Sequence, residues 1–263
     1  MGRYTENARY FLICQKYAWK DWFVYRLQGA IWVALSLMST VVTYAGITII
    51  YNVSSGIPGW NYLQLLLLST SSNMVMSLVW FFINPWSIVN KMRIGKLDPY
   101  LIRPFGKMTC VLSGVPGALS LIAGALSSAG IVAYVIFRLG IGPLLSIPYV
   151  LMLLMGTAAL TMIFLAVTVI SYIFMRSAQF SRSVFNLGES AGAYPIAIYG
   201  IGFQVFFSLL LPIGFAYYYP SEILFGKLGV SFILVDVLAL AIAIVSSYAI
   251  FNRLIKEYES GGG

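Results

Sequence analysis

The stretch NPWSIVNKMRIGKLDPYLIRPFGK, Asn84 to Lys107, is the longest polar interruption in an otherwise apolar chain. It holds Lys91, Arg93, Lys96, Arg103 and Lys107 against a single acid, Asp98. Its punctuation predicts a short helix followed by a rigid turn. Asn84 is a capping residue type, and Pro85 suits the first helical position, where a missing N–H costs nothing. Trp86, Val89 and Met92 recur at helical spacing, and Gly95 is placed to end the helix in a left-handed conformation. Asp98-Pro99 and Arg103-Pro104 restrict the chain beyond it. Two readings stay open on these residues alone. One is a stiff basic handle for a partner protein; the other is a solvated loop that serves topology only.

Outside this stretch the composition is that of a membrane protein. Of 263 residues, 60% are hydrophobic and 9% charged, against about 25% charged in soluble domains, and the mean hydropathy is +0.88. Six apolar stretches, at about 27–51, 62–84, 108–137, 144–175, 188–218 and 230–252, can each cross roughly 30 Å of hydrocarbon at about 1.5 Å per residue. Their runs are continuous rather than alternating, so they predict helices and not barrel strands. The expected fold is therefore all-α and polytopic, a single transmembrane domain over 1–263. The first apolar run follows a long basic, aromatic segment, so no cleavable signal peptide is expected. Residues 3–26 place Arg9, Lys16 and Lys20 on one face and Phe11, Ala18, Trp22 and Tyr25 on another, the pattern of a helix lying in the headgroup layer.

Charge sets the expected orientation. The net charge is +8, and of the 16 Lys and Arg residues all but Arg138 and Lys227 fall on one side of the six-span layout. The positive-inside rule then places both termini in the cytoplasm of a multi-pass protein of the cell membrane. The same excess is accounted for by topology, so it does not indicate nucleic-acid binding. Cys14 and Cys110 lie on that cytoplasmic side, where a disulfide is not expected.

Several features inside the spans bear on function. Ser120, Gly124 and Ser128 form a stripe of small residues, suited to close helix packing within one subunit or across a dimer seam. Gly188 and Gly192 form a GxxxG at the start of the fifth stretch. Pro212 and Gly214, followed by Tyr217, Tyr218, Tyr219 and Pro220, predict a broken, re-entrant segment over 211–220 on the external side. Asp236 is the acid placed clearly inside a span, where a carboxylate is costly. It can pair with Arg138, accept from tyrosines, or serve a pathway. Glu189, near the inner interface, can pair with Arg182 or Arg176 or begin a pathway. Asn73 and Gln204 complete the polar exceptions. With no histidine, no CxxC and no paired intramembrane acids, catalytic and metal chemistry find little support. No GxxxxGK[ST] loop occurs, so ATP-driven work needs another chain.

The decapeptide Gly95-Lys96-Leu97-Asp98-Pro99-Tyr100-Leu101-Ile102-Arg103-Pro104 resembles a motif of the form G-x-L-D-x-Y-L-x-R-P. It is similar to the loop between spans two and three in permease subunits of type-2 exporter-class ATP-binding-cassette transporters, and more narrowly to a short six-span branch often encoded as two permeases beside one ATPase. The resemblance implies that residues 85–104 form a coupling element for an ATPase subunit, with Pro85, Trp86, Val89, Lys91, Met92, Arg93, Gly95, Asp98, Pro99, Tyr100, Arg103 and Pro104 as its parts. It implies that ATP and Mg are bound by that partner and that this chain carries no cofactor. It also implies a second permease subunit, a sister chain or a second copy, with the path at their interface; Asn73, Gly188, Gly192, Gln204, Pro212, Gly214 and Asp236 are the path or packing candidates. The alternatives are an ATP-independent transporter or channel, which calls for more mid-span charge, and a non-transport membrane scaffold.

Overall fold

The computed structural model describes residues 2–24, 26–53, 57–114 and 119–259. Tyr25, the side chains of Arg3, Ala18 and Trp22, part of the third apolar stretch at 115–118, and the closing 260–263 lie outside the described residues.

Helices dominate for a simple reason. Where no water reaches the backbone, a continuous apolar run must satisfy its own N–H and C=O groups, and a helix does so within one segment. The terminal helix α1 (Gly2–Val24) leads to α2 (Arg26–Val53) and then α3 (Tyr62–Phe82). The polar stretch forms α4 (Pro85–Arg93) and the single-turn α5 (Asp98–Leu101). After it come α6 (Lys107–Gly114), α7 (Leu119–Arg138), α8 (Pro143–Met175) and α9 (Gln179–Gly192). The chain closes with α10 (Ile201–Val205), α11 (Tyr219–Leu224) and α12 (Phe232–Leu254).

Among the described residues five helices are long and apolar enough to cross a membrane, and a bent pair makes up to six. The expected stretches at 27–51, 62–84, 144–175 and 230–252 correspond to α2, α3, α8 and α12 within a few residues. The 188–218 expectation is corrected. Gly188 and Gly192 end α9 instead of opening a long span. The chain then breaks through Pro195, a 3-10 turn at Ile196–Ile198 and Gly200. Proline disfavours helix in the residue before it and removes a backbone donor, which favours a break here. From Ile201 the helix loosens into wide turns and bends by 81° between Ile201–Leu210 and Gly214–Leu224. The break expected at Pro212 and Gly214 is present, and Pro212 itself is buried.

The core is built around α3 and α8, which are largely enclosed, while α2 and α12 turn most of their apolar surface outward. Small residues let the helices close on one another. Along α7, Ser128 Oγ lies 3.4 Å from Thr40 Oγ1 of α2, and Ser127 Oγ lies 2.8 Å from the same atom. A side chain at Gly124 would meet Ser36 of α2 and Ser77 of α3. The α7 stripe therefore packs within the subunit. The GxxxG behaves alike: a Cβ at Gly188 would stand 3.3 Å from Phe164 and 3.4 Å from Ile213, and one at Gly192 would fall on Tyr217 and Ser72.

The two ends of the bundle differ in chemistry. At one end gather α1, α4, α5, the close of α8 and the C-terminal segment. At the other, Lys227 Nζ donates to the Gly59 carbonyl at 2.6 Å and sits 3.5 Å over the Trp60 ring, which in turn packs on Tyr218 and Phe225.

Candidate functional site

The local rules read from Asn84 to Lys107 are realised in detail. The Asn84 side chain accepts from Ser87 N–H at 3.1 Å, and Pro85 starts α4. Ile88, Val89 and Met92 face inward, while Trp86 is 64% exposed. Gly95 has φ 68°, the left-handed stop that glycine takes without penalty.

Beyond this stop the chain is held from three sides. Asp98 Oδ1 accepts the Tyr258 hydroxyl at 2.8 Å, and Tyr258 also lies 3.0 Å from the Met92 carbonyl. Tyr172, near the end of α8, stacks obliquely on Tyr258 at 5.6 Å, and Arg176 donates to its hydroxyl at 3.0 Å. On the α1 side, Arg103 lies over the rings of Tyr10 and Tyr100 at 5.5 and 4.9 Å and donates to the Tyr10 hydroxyl and to the Pro99 carbonyl at 3.2 Å. Burial pushes the Tyr10 hydroxyl up to about 12, with Arg103 pulling the other way, so Tyr10 stays neutral and accepts. Asn7 Oδ1 accepts from Gly106 N–H at 3.1 Å, and Tyr10 stacks on Phe105 at 4.3 Å. On the third side, Lys91 Nζ donates to the Gly114 carbonyl and lies 5.7 Å from the Tyr100 ring centre.

The outer face of this braced unit is open. Trp86, Ile94 and Ile102 expose 64%, 44% and 83% of their surface, and Arg93, Lys96, Pro99, Arg103, Pro104 and Lys107 are exposed beside them. A cleft of about 210 Å³ runs between α4 and the α8–α9 turn, lined by Trp86, Asn90, Arg93, Arg176 and Ser177. Residues 85–104 thus form one unit, as their sequence suggests. Its supports Tyr10, Tyr172 and Tyr258 are not marked by the sequence as part of it. Their signal in the chain is weak, since tyrosines near membrane interfaces are common.

The remaining candidates scatter. Gln204 donates to the Tyr199 carbonyl at 2.7 Å and holds the break together. A Cβ at Gly214 would be 3.0 Å from Tyr219, so this glycine serves packing. Asp236 is fully buried, and neither carboxylate oxygen has a hydrogen-bond partner among the described residues. The expected pairing with Arg138 or tyrosines is therefore not formed. Glu189 accepts from Trp80 Nε1 at 2.6 Å, while Arg176 stands 3.8 Å from Glu259; among the described residues the pairing of Glu189 with Arg182 or Arg176 is not made. Asn73 donates to Thr43 at 3.1 Å and accepts from Ser77 at 3.2 Å beside a polar cleft. Cys14 is half-buried and Cys110 buried, both as free thiols.

A helical bundle with five to six crossings and a braced basic loop defines an all-α polytopic membrane protein. A family model described as ABC-2 family transporter protein matches residues 37–262. The chain belongs to that family and is a membrane subunit of an ATP-binding-cassette transporter. No curated protein and no solved structure matches it.

Proposed function

We propose that this chain is one permease half of an exporter, driven by a separate ATPase subunit that binds ATP and Mg and grips the α4–α5 unit. The observation that carries the proposal is the contrast between the two faces of residues 85–104. Val89, Met92 and Leu97 are buried and the loop is tied to α1, α8 and the C-terminal segment, while Trp86, Ile94, Ile102 and basic side chains point away from the bundle. A stiff support behind an exposed aromatic and basic face transmits displacement; a floppy loop would absorb it. Exposed apolar groups rimmed by charge mark interaction surfaces, and tryptophan and arginine are favoured anchors at interfaces.

In this mechanism, ATP binding closes the partner ATPase dimer. The displacement enters through α4 and α5 and passes to α3, α8 and the terminal helices that brace them. The path between this permease and a second one, a sister chain or a second copy, then opens outward. The basic end of the bundle, with both termini, faces the cytoplasm of the cell membrane.

Gentle solubilisation from native membranes followed by affinity purification tests the reading. The chain should bring a nucleotide-binding subunit with it, and Trp86→Ala together with Ile102→Ala should abolish that association while leaving the chain inserted. Recovery of a transport-competent protein without any ATPase would instead identify an ATP-independent transporter. Stable association with other membrane proteins and no ATPase would identify a scaffold.

A further inference from the structure

A cleft opens between α2, α3, α7 and α9. It has two adjoining lobes of about 210 and 260 Å³ that share Ser39, Asn73, Met76 and Glu189. Among the described residues, no Lys or Arg lines either lobe. Glu189 is their acid, fixed by the 2.6 Å hydrogen bond from Trp80 Nε1 to one carboxylate oxygen. Among the described residues Glu189 forms no ion pair, and it lines both lobes. Glu189 is exposed and lies near the inner interface by the charge layout, where an acid with no lining counter-charge is placed to meet a cation.

The chemistry of the walls narrows the ligand. Ser39, Thr43, Ser72 and Asn73 bring hydroxyl and amide groups to one lobe. The other adds Trp32, Leu35 and Trp80 among further serines. An anion with aromatic walls suits a positive charge carrying carbon, because tryptophan attracts cations through its ring face. With Glu189 in the lining and no lining cation among the described residues, phosphate and carboxylate groups are disfavoured as the recognised element. Each lobe is smaller than the roughly 300–1,000 Å³ of drug-sized sites, which suits a small ammonium group or the charged end of a longer amphiphile.

We propose that this cleft is a binding site for an organic ammonium cation, with Glu189 as its counter-charge and Trp32 and Trp80 as its apolar walls. The site names a substrate class for the transport reading above and rests on that reading for its purpose. Its test requires neither the ATPase nor transport, so the two can fail separately.

The full chain, purified in maltoside micelles free of choline headgroups, is titrated calorimetrically at low ionic strength. The probes are choline and its uncharged carbon isostere, dimethylbutanol. Choline should bind saturably, and dimethylbutanol at least about tenfold more weakly, as expected for loss of a charge-assisted contact. Glu189→Gln keeps an acceptor for Trp80 and should lose choline affinity by a similar factor while leaving dimethylbutanol unchanged. Equal binding of the two probes by the wild-type chain, binding of neither, or full choline affinity in Glu189→Gln would each overturn the assignment. The wild-type comparison needs no variant, so it holds even if Glu189→Gln fails to fold.

Discussion

Gly156 shows what a single missing side chain does in this bundle. A Cβ there would lie 2.5 Å from the Ala216 Cα and 2.7 Å from its carbonyl oxygen, so α8 touches the loosened turn at 214–218 backbone to backbone. Gly156→Ala should lower stability by about 1–3 kcal/mol, the usual cost of overpacking a filled core, read as a lower thermal unfolding midpoint in detergent. Asp236 presents the opposite case. Its carboxylate is buried and unpartnered among the described residues, and an uncompensated polar group in the interior costs stability. Asp236→Leu should therefore raise the unfolding midpoint; a lower midpoint would mean that the carboxylate has a stabilising role. The Asn84 cap should be worth about 1 kcal/mol, lost in Asn84→Ala. Of these residues, Asn84 was legible from its neighbours in the chain, since capping is local. Gly156 was not, because its reason is a segment 60 positions away in sequence.

At the scale of elements, the α4–α5 unit depends on its supports. Asp98→Ala and Tyr258→Phe each remove the same 2.8 Å hydrogen bond, worth about 1 kcal/mol. Each should leave the protein inserted but uncouple ATP hydrolysis from transport, and the double variant should be no worse than Tyr258→Phe, which also removes the contact with the Met92 carbonyl. Arg103→Ala, which frees the loop from Tyr10 and Tyr100, should act the same way through an independent support, and adding it should deepen the defect. Wild-type transport and stimulated ATPase activity in all of these would refute a coupling role for the unit. The helix, its cap and its glycine stop come from nearest-neighbour chemistry. The brace does not, because it joins residues from α1, α8 and the C-terminal segment that no spacing rule connects. The fifth apolar stretch differs from its expected form for a related reason. Hydropathy measures its length, but Pro195, Gly200 and Pro212 divide it, and the wide turns between them depend on packing against α8 and α3.

At the scale of the whole molecule, the clearest test concerns orientation. In a background with Cys14 and Cys110 replaced by serine, Lys227→Cys should react with a membrane-impermeant maleimide added to intact cells. Lys96→Cys should react only after the membrane is opened. The reverse pattern would invert the proposed topology. Hydropathy and charge along the chain establish the class of protein, four of its crossings nearly to the residue, and the contrast between a basic and a nearly uncharged end. Those properties rest on transfer from water to hydrocarbon and on the charge of loops, and both are sums over local composition. The packed bundle is needed to see which small residues pack inside the subunit, where the fifth stretch breaks, what stiffens the basic loop, and that Glu189 lines an open cleft while Asp236 is sealed. Such outcomes depend on which distant side chains meet, and a one-dimensional pattern of hydropathy and charge holds no record of those meetings.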